Sequence, residues 1–360
     1  MNDRSQCGIV SHGAVNVEPL WFDSLGAKSS SVLVTTPDVA LLVDPGAAVM
    51  HPSYPLSCDA KEELRESALR AIAAAAGRAD MVFVSHYHYD HYLMPHELPG
   101  LYAGKQLWLK DPNRFVCRSQ WRRARDFLCE LCAVSDVEEL QEEPAPCRVG
   151  DPLEELPLAA GRDFGDYASR RMELLRRGRE RLGGLAEFWA SSPPVSETMV
   201  ARNRVFFADG REIAVGATRI RFSTPMFHGV EYTSLGWVVG LVVEHGGTRF
   251  LYSSDLQGPV IEDYADWIIR EEPSILVVDG PPTYLLGFLM SRVNLDRCVE
   301  NMCEIVRRCS ARTIIYDHHL LRGRRFRERT ERVWNVARQE GRGLLTVAEL
   351  FGEEPLVLRS

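Results

Sequence analysis

The chain has 360 residues, of which 45% are hydrophobic and 26% are charged. A chain of this length and composition can fill a sizeable core, which excludes disordered and fibrous architectures. The formal net charge of −8 argues against a broad cationic surface for duplex nucleic acid.

The first part of the chain is predicted to deliver polar residues from the ends of short apolar strands. We predict strands at 32–36, 40–44, 81–85 and 106–109 and a helix at 60–77. The second strand ends in Asp44-Pro45-Gly46, a turn sequence that presents a carboxylate. The third strand runs directly into a group of histidines.

Residues 130–202 interrupt the regular pattern of strands and helices. Acidic residues and three prolines mark a solvated loop within 136–155. A helix is then predicted over 162–190, and its first part carries six arginines. This helix is either a charged, exposed element or a lid that presents arginines to an anionic substrate.

The last part of the chain changes from an antiparallel run to an alternation of strands and helices. We predict strands at 204–208, 218–223, 235–244, 248–254, 275–279 and 313–317, and helices at 261–270, 294–309 and 323–340. Two sheets that share one core would accommodate both parts of the chain.

The most informative motif is SHYHYDH, which places His86, His88, Asp90 and His91 directly after an apolar strand. The H-x-H spacing lets two imidazoles reach one metal ion, while Asp90 and His91 reach a neighbouring position. Clustered imidazoles otherwise have little reason to accumulate at the end of a strand. The motif therefore indicates a dinuclear metal centre.

These residues resemble the second motif of the metallo-β-lactamase superfamily, whose members fold as a four-layer αββα sandwich. By this resemblance, Asp44 corresponds to the aspartate that orients the metal loop, His228 to a further ligand and Asp255 to a bridging carboxylate. The last ligand is His318 or His319, and its position directly after a strand favours His318.

The resemblance implies one α/β domain over 1–360, with 130–202 as an inserted acidic loop and arginine-rich helix. Phrases such as SSDLQGP, DGPPTY and DHHLLR also resemble an uncharacterised group of predicted metallohydrolases within the superfamily. The implied ligands are His86, His88 and His228 for one ion, Asp90, His91 and His318 or His319 for the other, and Asp255 as the bridge. Zn²⁺ suits this donor set best, and Fe and Mn are alternatives.

The implied chemistry is hydrolysis of a small ester, amide, lactone or phosphodiester by a metal-bound hydroxide. One alternative is an iron-dependent redox or oxygen-using enzyme with the same ligands. Another is a nuclease, which the arginine clusters favour and the acidic net charge opposes. A non-catalytic metal-binding module is disfavoured because every expected ligand is present.

Other polar residues are candidates for contact with the substrate. Tyr284 and Asp317 could protonate a leaving group, or be a buried tyrosine and a helix-capping aspartate. Lys110, Ser119, Gln120 and Arg322 are predicted to bind substrate, with a salt bridge as the alternative for Lys110. Residues 322–332 hold six arginines against two glutamates, which favours a small anionic substrate.

The expected setting is a soluble cytoplasmic protein. No segment approaches 18 consecutive apolar residues, and the nine cysteines have no disulfide framework spacing. Neither a membrane nor a nucleic acid is an expected partner, and a homo-oligomer is compatible with the sequence.

Overall fold

A computed structural model describes residues 8–133, 141, 149–197, 199–200 and 203–359. Much of the predicted acidic loop, at 134–140 and 142–148, lies outside the described residues. Among the residues that are described, no helix is both long and apolar enough to span a bilayer.

The first sheet has the strand order β1-β2-β3-β4-β5-β6-β8-β7. Its strands are Val10–His12 (β1), Val15–Phe22 (β2), Ser30–Thr35 (β3), Ala40–Val43 (β4), Met81–Val84 (β5), Gln106–Leu109 (β6), Met199–Val200 (β7) and Asn203–Phe207 (β8). Strands β4, β5, β6 and β8 are parallel. Because parallel strands end at one edge of a sheet, Asp44 and the histidine motif lie side by side at that edge.

The second sheet has the order β17-β16-β15-β14-β13-β10-β9, and β11 and β12 form a separate pair. The strands are Glu212–Val215 (β9), Thr218–Phe222 (β10), Met226–Phe227 (β11), Trp237–Val238 (β12), Leu241–His245 (β13), Thr248–Tyr252 (β14), Ile275–Asp279 (β15), Thr313–Asp317 (β16) and Gly343–Leu345 (β17). Strands β14 to β17 are parallel. Their ends present Asp255, Asp279 and His318 along a common rim.

The helices form the two outer layers of an αββα sandwich. They are Cys58–Ala76 (α1), Arg118–Cys132 (α2), Pro157–Gly161 (α3), Ala168–Ser191 (α4), Glu262–Arg270 (α5), Arg292–Arg308 (α6), Phe326–Arg329 (α7), Glu331–Gln339 (α8), Val347–Leu350 (α9) and Leu356–Arg359 (α10). Helix α1 packs against β2 of the first sheet, whereas α5, α6 and α8 share a hydrophobic cluster with the outer face of the second.

Alternating side chains of the second sheet divide between two hydrophobic clusters. In β15, Ile275 and Val277 join the cluster that contains the first sheet, whereas Leu276 and Val278 join the cluster of the outer helices. This alternation follows from the two-residue period of a strand. The two sheets meet at aromatic contacts such as Phe83 and Phe222, whose ring centroids lie 4.9 Å apart.

Several elements differ from the sequence predictions. Strand β2 was not predicted, and the register shift between Pro19 and Trp21 accommodates a proline within it. The predicted strand 235–244 is divided between β12 and β13, which lie in different sheets. The predicted helix 323–340 is interrupted at Thr330, whose hydroxyl donates to the Phe326 carbonyl at 2.8 Å.

The arginines of α4 are engaged within the protein. Exposed ion pairs join Arg170 and Arg177 to Glu173, Arg176 to Glu180, and Arg179 to Asp151. Arg181 donates to the Tyr232 carbonyl at 2.9 Å. Arg171 is buried and lies 3.1 Å from Glu231. These contacts suit the charged-helix alternative better than a lid with available arginines.

Glu231 ties the inserted helix to the rest of the fold. It lies three residues after the candidate ligand His228, and Arg297 Nη2 lies 2.7 Å from its Oε1 atom. Burial alone would raise the pKa of Glu231, but the hydrogen bonds and charges of Arg297 and Arg171 lower it from 4.5 to about 2. The carboxylate is therefore stabilised in its charged form.

We expect Glu231→Gln to lower the free energy of unfolding by about 3 kcal/mol at neutral pH, because it removes one partner from a buried ion pair. A depressed pKa contributes stability above the unfolded-state value, and this contribution is lost as the pH falls toward the folded-state value. The difference between wild type and variant should therefore shrink from about pH 5 to about pH 3 in denaturant titrations. Glu173→Gln, at an exposed pair, is the control and should change stability little.

Candidate metal centre

The histidine motif forms the loop that follows β5. The Nε2 atom of His86 lies 3.1 Å from the Nδ1 atom of His88, so these nitrogens face a common space. The backbone then turns, and the His91 amide donates to the His88 carbonyl at 2.8 Å. This turn brings the His91 and His86 rings to a centroid separation of 4.2 Å.

Three further candidate ligands come from the second half of the chain. His228 follows β11, Asp255 lies beyond β14, and His318 follows β16. Ser254 and His318 have positive φ angles of 57° and 61°. This backbone region is unfavourable for most residues with a side chain and is concentrated at functional sites. The chain therefore turns sharply where it presents two of the candidate ligands.

Asp255 lies at the centre of these side chains. Its Oδ2 atom lies 3.5 Å from His86 Nε2, 3.1 Å from His91 Nε2 and 3.4 Å from His228 Nε2. Its Oδ1 atom lies 2.8 Å from His318 Nε2. One buried carboxylate thus faces imidazoles from both sheets.

The potential ligand atoms form overlapping sets, within each of which the atoms lie no more than 4.8 Å apart. One set contains His86, His88, His228 and Asp255, and another contains Asp90, His91 and His318. Asp255 also forms a set with His318 and His319. An ion in each of the first two sets could share the Asp255 carboxylate.

Two buried polar atoms of this cluster have no hydrogen-bond partner among the described residues. They are the two ring nitrogens of His228. Buried polar atoms without partners are unfavourable unless an ion or a water molecule satisfies them. Imidazole and carboxylate donors in this arrangement fit divalent cations.

The two sides of the cluster differ in electrostatics. Burial lowers the pKa of His88 to about 4 and, together with neighbouring imidazoles, lowers that of His86 well below its usual range. Neutral imidazole is the form that coordinates a metal. Burial would also lower the pKa of His91, but Asp255 and Asp44 raise it to about 10. The carboxylates on that side therefore favour positive charge, which a bound cation would supply instead of a ring proton.

Asp44 holds the histidine loop from the side of the first sheet. It accepts hydrogen bonds from the Ser85 amide at 2.7 Å, the Ser85 hydroxyl at 2.6 Å and the Tyr252 hydroxyl at 2.7 Å. Its Oδ2 atom lies 2.8 Å from His91 Nδ1, which leaves His91 Nε2 facing Asp255. Asp44 also lies within ligand range of His86 and His91, but these donors occupy its oxygens and suit an orienting role.

The backbone beyond Asp44 passes directly against the same loop. A Cβ atom at Gly46 would lie 2.4 Å from the His91 nitrogen and 2.3 Å from the Tyr92 nitrogen. No side chain fits at that distance from a neighbouring backbone. Glycine at this position therefore permits the close packing of the Asp44 turn against the histidine loop.

Asp23 is a buried residue of the site that sequence reasoning missed. His318 Nδ1 lies 2.8 Å from its Oδ1 atom, and Arg322 Nε donates to its Oδ2 atom at 2.5 Å. Arg322 Nη2 also donates to Asp90 at 3.1 Å. Asp23 and Arg322 thus position two candidate ligands, His318 and Asp90. The available signal was the position of Asp23 directly after β2, a strand that the sequence analysis did not predict.

The two adjacent histidines after β16 have different surroundings. His318 belongs to the set that contains Asp90 and His91. The Nδ1 atom of His319 lies 3.0 Å from Asp279 Oδ2, and its backbone amide donates to Asp279 at 3.2 Å. Asp279 was also absent from the predicted site. His319 is therefore a neighbour of the cluster, and its Nδ1 atom faces the Asp279 carboxylate.

Of the four residues predicted to bind substrate, Arg322 and Gln120 lie beside candidate ligands. Gln120 is buried, and its Nε2 atom donates to the Leu235 carbonyl at 2.8 Å and lies 3.4 Å from His88 Nε2. Ser119 is exposed in the first turn of α2, and its hydroxyl contacts the Cys117 thiol at 3.1 Å. Gln120 is therefore placed to orient the His88 ring.

Lys110 departs from the substrate-facing position that the sequence predicts. Its side chain is fully buried, and its ammonium pairs with Asp209. It also donates to the carbonyls of Asp111 at 3.2 Å and Arg114 at 3.0 Å. The lysine charge is thus neutralised inside the protein, in a buried rather than a surface salt bridge.

The two predicted proton donors, Asp317 and Tyr284, have different surroundings. Asp317 accepts hydrogen bonds from the amides of Ser24 at 3.1 Å, His318 at 2.7 Å and Val347 at 2.8 Å, which suits the capping alternative. Tyr284 lies in the turn Thr283–Leu285 and stacks on the His51 ring, with centroids 4.9 Å apart.

Comparisons with known proteins agree with this architecture. Residues 26–93 match the family model of the metallo-beta-lactamase superfamily. A UPF0282 protein of Methanopyrus kandleri is 32% identical over 361 residues, covering 96% of this chain and 97% of that protein. A UPF0282 protein of Korarchaeum cryptofilum is 31% identical, covering 95% and 91%.

Among solved structures, the metallo-beta-lactamase fold protein YhfI from Bacillus subtilis matches 89% of this chain and 88% of its own, with 13% identity and a TM-score of 0.42. The family model and the relatives confirm the resemblance drawn from the sequence motifs, and the layered sheets confirm the predicted fold class. The chain belongs to the UPF0282 protein family, within the metallo-β-lactamase superfamily.

Proposed function

We propose that the protein is a hydrolase that depends on two divalent metal ions held at the rim of the sandwich. The observation that carries this proposal is the convergence of five imidazoles and two carboxylates, among which the ring nitrogens of His228 have no hydrogen-bond partner. The ligands of one ion would be His86, His88 and His228, those of the other Asp90, His91 and His318, and Asp255 would lie between them. We favour Zn²⁺ because imidazoles predominate, and Fe or Mn could take the same donors.

Two bound divalent cations would lower the pKa of a water molecule and polarise the group that it attacks. The chain's own residues hold the ligands in place for this chemistry. Asp44 fixes the His91 ring, and Asp23 fixes the His318 ring. Arg322 holds Asp90. These three charged groups limit the rotation of the ligand side chains that they contact. The substrate would be a small molecule with an ester, amide, lactone or phosphodiester bond.

Tyr284 is our proposed proton donor for the leaving group. Its ring stacks on His51, and it lines the same cavity as Arg322, which contacts the candidate ligand Asp90. A phenol at the edge of the site can give a proton to a departing oxygen or nitrogen. Asp317 is not included because backbone amides occupy its carboxylate.

The proposed function is tested by metal analysis and by hydrolysis assays on the purified chain. We expect two metal ions per chain after expression in metal-replete medium. Removal by a chelator should abolish hydrolysis of substrates such as bis-p-nitrophenyl phosphate or simple lactones, and added Zn²⁺ should restore it. Absence of bound metal would contradict the proposal. Iron with an oxygen-dependent visible spectrum would instead support the redox alternative, which full turnover with zinc alone would exclude.

The adjacent histidines offer a matched pair of variants. We expect His318→Asn to lose one of the two metal ions, because His318 lies with Asp90 and His91. Asparagine tolerates the positive φ angle of His318 and should preserve the backbone. His319→Asn should keep both ions, because His319 belongs neither to the set of His86, His88 and His228 nor to that of Asp90 and His91. Metal content by mass spectrometry decides, with circular dichroism as the folding control, and the reverse pattern would make His319 the ligand.

A further inference from the structure

An apolar pocket opens next to residues that follow two of the candidate ligands. Its volume is about 200 Å³, and most of its wall is formed by apolar side chains, including Leu235, Val260, Leu285, Leu289 and Met290. No charged side chain is among the described residues that line it. An ionised group would lose its hydration in this pocket without gaining a counterion, whereas a neutral apolar group would gain by leaving water.

The turn that presents Asp255 forms part of the pocket wall. Gln257 lines the pocket, has a positive φ angle of 53°, and donates its backbone amide to Asp279 Oδ2 at 2.7 Å. Its side chain packs against Gly229, where an added Cβ atom would lie 2.9 Å from Gln257 Oε1. Gly229 also lines the pocket and directly follows the candidate ligand His228. This wall therefore consists of residues that adjoin two candidate ligands.

A second set of contacts leads from the pocket to His88. Leu235 lines the pocket, and its backbone carbonyl accepts a hydrogen bond from Gln120 Nε2 at 2.8 Å. The same Gln120 atom lies 3.4 Å from His88 Nε2. Because His88 and His228 belong to one set of candidate ligands, the pocket adjoins one side of the metal centre.

The segment 285–290 places apolar side chains in solvent at this pocket. Leu289 lines the pocket and is 73% exposed, whereas its neighbour Phe288 is 83% exposed and does not line it. The Leu285 carbonyl accepts hydrogen bonds from the amides of Phe288, Leu289 and Met290 at 3.0–3.1 Å, so backbone contacts hold this segment. Leu285 is also the neighbour of Tyr284, our proposed proton donor. Exposed apolar side chains beside a concave surface are typical of a binding site.

We propose that this pocket binds a neutral, apolar acyl or alkyl group of the substrate. The inference rests on the proposed function and narrows its substrate class to esters, amides and lactones that carry such a group. The volume suits a chain of about six carbon atoms, at roughly 30 Å³ for each. Binding energy from this group, which does not react, would position the reacting bond beside His228 and Asp255.

The test is titration of hexanamide and of acetamide with the metal-loaded chain, followed by ligand-observed NMR. Both amides are neutral and have the same polar group, so the difference in their affinities reports on the apolar chain. We expect hexanamide to bind about tenfold more tightly or better, because each methylene group that leaves water contributes a factor of about three to four.

Three variants assign this difference to the pocket. Asn294→Phe places a large ring at a position that lines the pocket and should remove the preference for hexanamide. Leu289→Gln should weaken hexanamide binding about threefold or more, because it replaces apolar lining with an amide. Phe288→Gln is the matched control, because Phe288 is exposed in the same segment but does not line the pocket. It should bind hexanamide as the wild type does.

Equal affinities for the two amides, or hexanamide binding that neither pocket variant changes, would overturn the proposal. If Asn294→Phe does not fold, Leu289→Gln decides, because its side chain is exposed. Self-association of the wild type that Leu289→Gln abolishes would make the pocket an interface between copies of the chain and would also overturn the proposal.

Hydrolysis assays separate this proposal from the proposed function. A chain without metal or without hydrolytic activity contradicts the hydrolase, and a preference for hexanamide in that chain would still support the pocket as a binding site. A metal-loaded chain that hydrolyses p-nitrophenyl acetate and p-nitrophenyl hexanoate with equal kcat/KM contradicts only the apolar subsite.

Discussion

Asp255→Asn is expected to remove at least one bound metal ion and to lower kcat by more than about a hundredfold. Loss of a residue that merely orients a ligand costs about 10- to 100-fold, and Asp255 faces the ligands of both ions. Its carboxylate lies within 3.5 Å of nitrogens on His86, His91 and His228. Asparagine keeps the shape of the side chain but removes its charge. The two cations would then lose the anionic ligand that they share.

An alternative role for Asp255 is to cap the turn before Gly258. That role predicts a loss of about 1 kcal/mol of stability with metal content unchanged. Metal analysis beside a melting curve distinguishes the two roles. Asp266→Asn is the control, because Asp266 pairs with Arg270 on the surface of α5. Two metal ions per chain with near-normal turnover in Asp255→Asn would refute the bridging assignment.

Gly46→Ala is expected to destabilise the protein by about 2–3 kcal/mol and to release metal from the His91 side. The added methyl group would meet the His91 and Tyr92 backbone at 2.3–2.5 Å. Backbone atoms cannot rotate away as a flexible side chain can, so the histidine loop must shift. A shift of this loop would separate His91 from Asp255 and from Asp44.

Gly77→Ala is the matched control for this substitution. Gly77 follows α1 with φ of −64°, and no neighbouring atom lies within 4 Å of an added Cβ. Gly77→Ala should leave the metal content unchanged and raise the free energy of unfolding by up to about 1 kcal/mol. Thermal unfolding and metal analysis of both variants provide the comparison. Equal metal content and stability in Gly46→Ala and the wild type would show that the loop tolerates displacement.

The candidate ligands could be predicted because each lies just beyond a short apolar strand. Strand β5 leads into His86 and β14 into Asp255, and parallel strands bring such positions to one rim. Asp23 has an equivalent position, but the strand before it was not predicted. The local pattern therefore identified the candidate ligands but missed Asp23, a residue that orients one of them.

Contacts with distant parts of the chain limited the prediction of substrate residues. Lys110 follows β6 at the same edge as Asp44, which made it a reasonable candidate. Its partner Asp209 lies 99 residues later, and no local pattern indicates that pairing.

All the candidate ligands except His228 are divided between the two sheets of the sandwich. His86, His88, Asp90 and His91 follow β5, whereas His228, Asp255 and His318 belong to the second half of the chain. A separation of the sheets would therefore break both ligand sets at once. Bound metal would act as a reversible crosslink between the sheets, and its release would require their opening. The rate of metal loss to a strong chelator would then measure how often the sandwich opens.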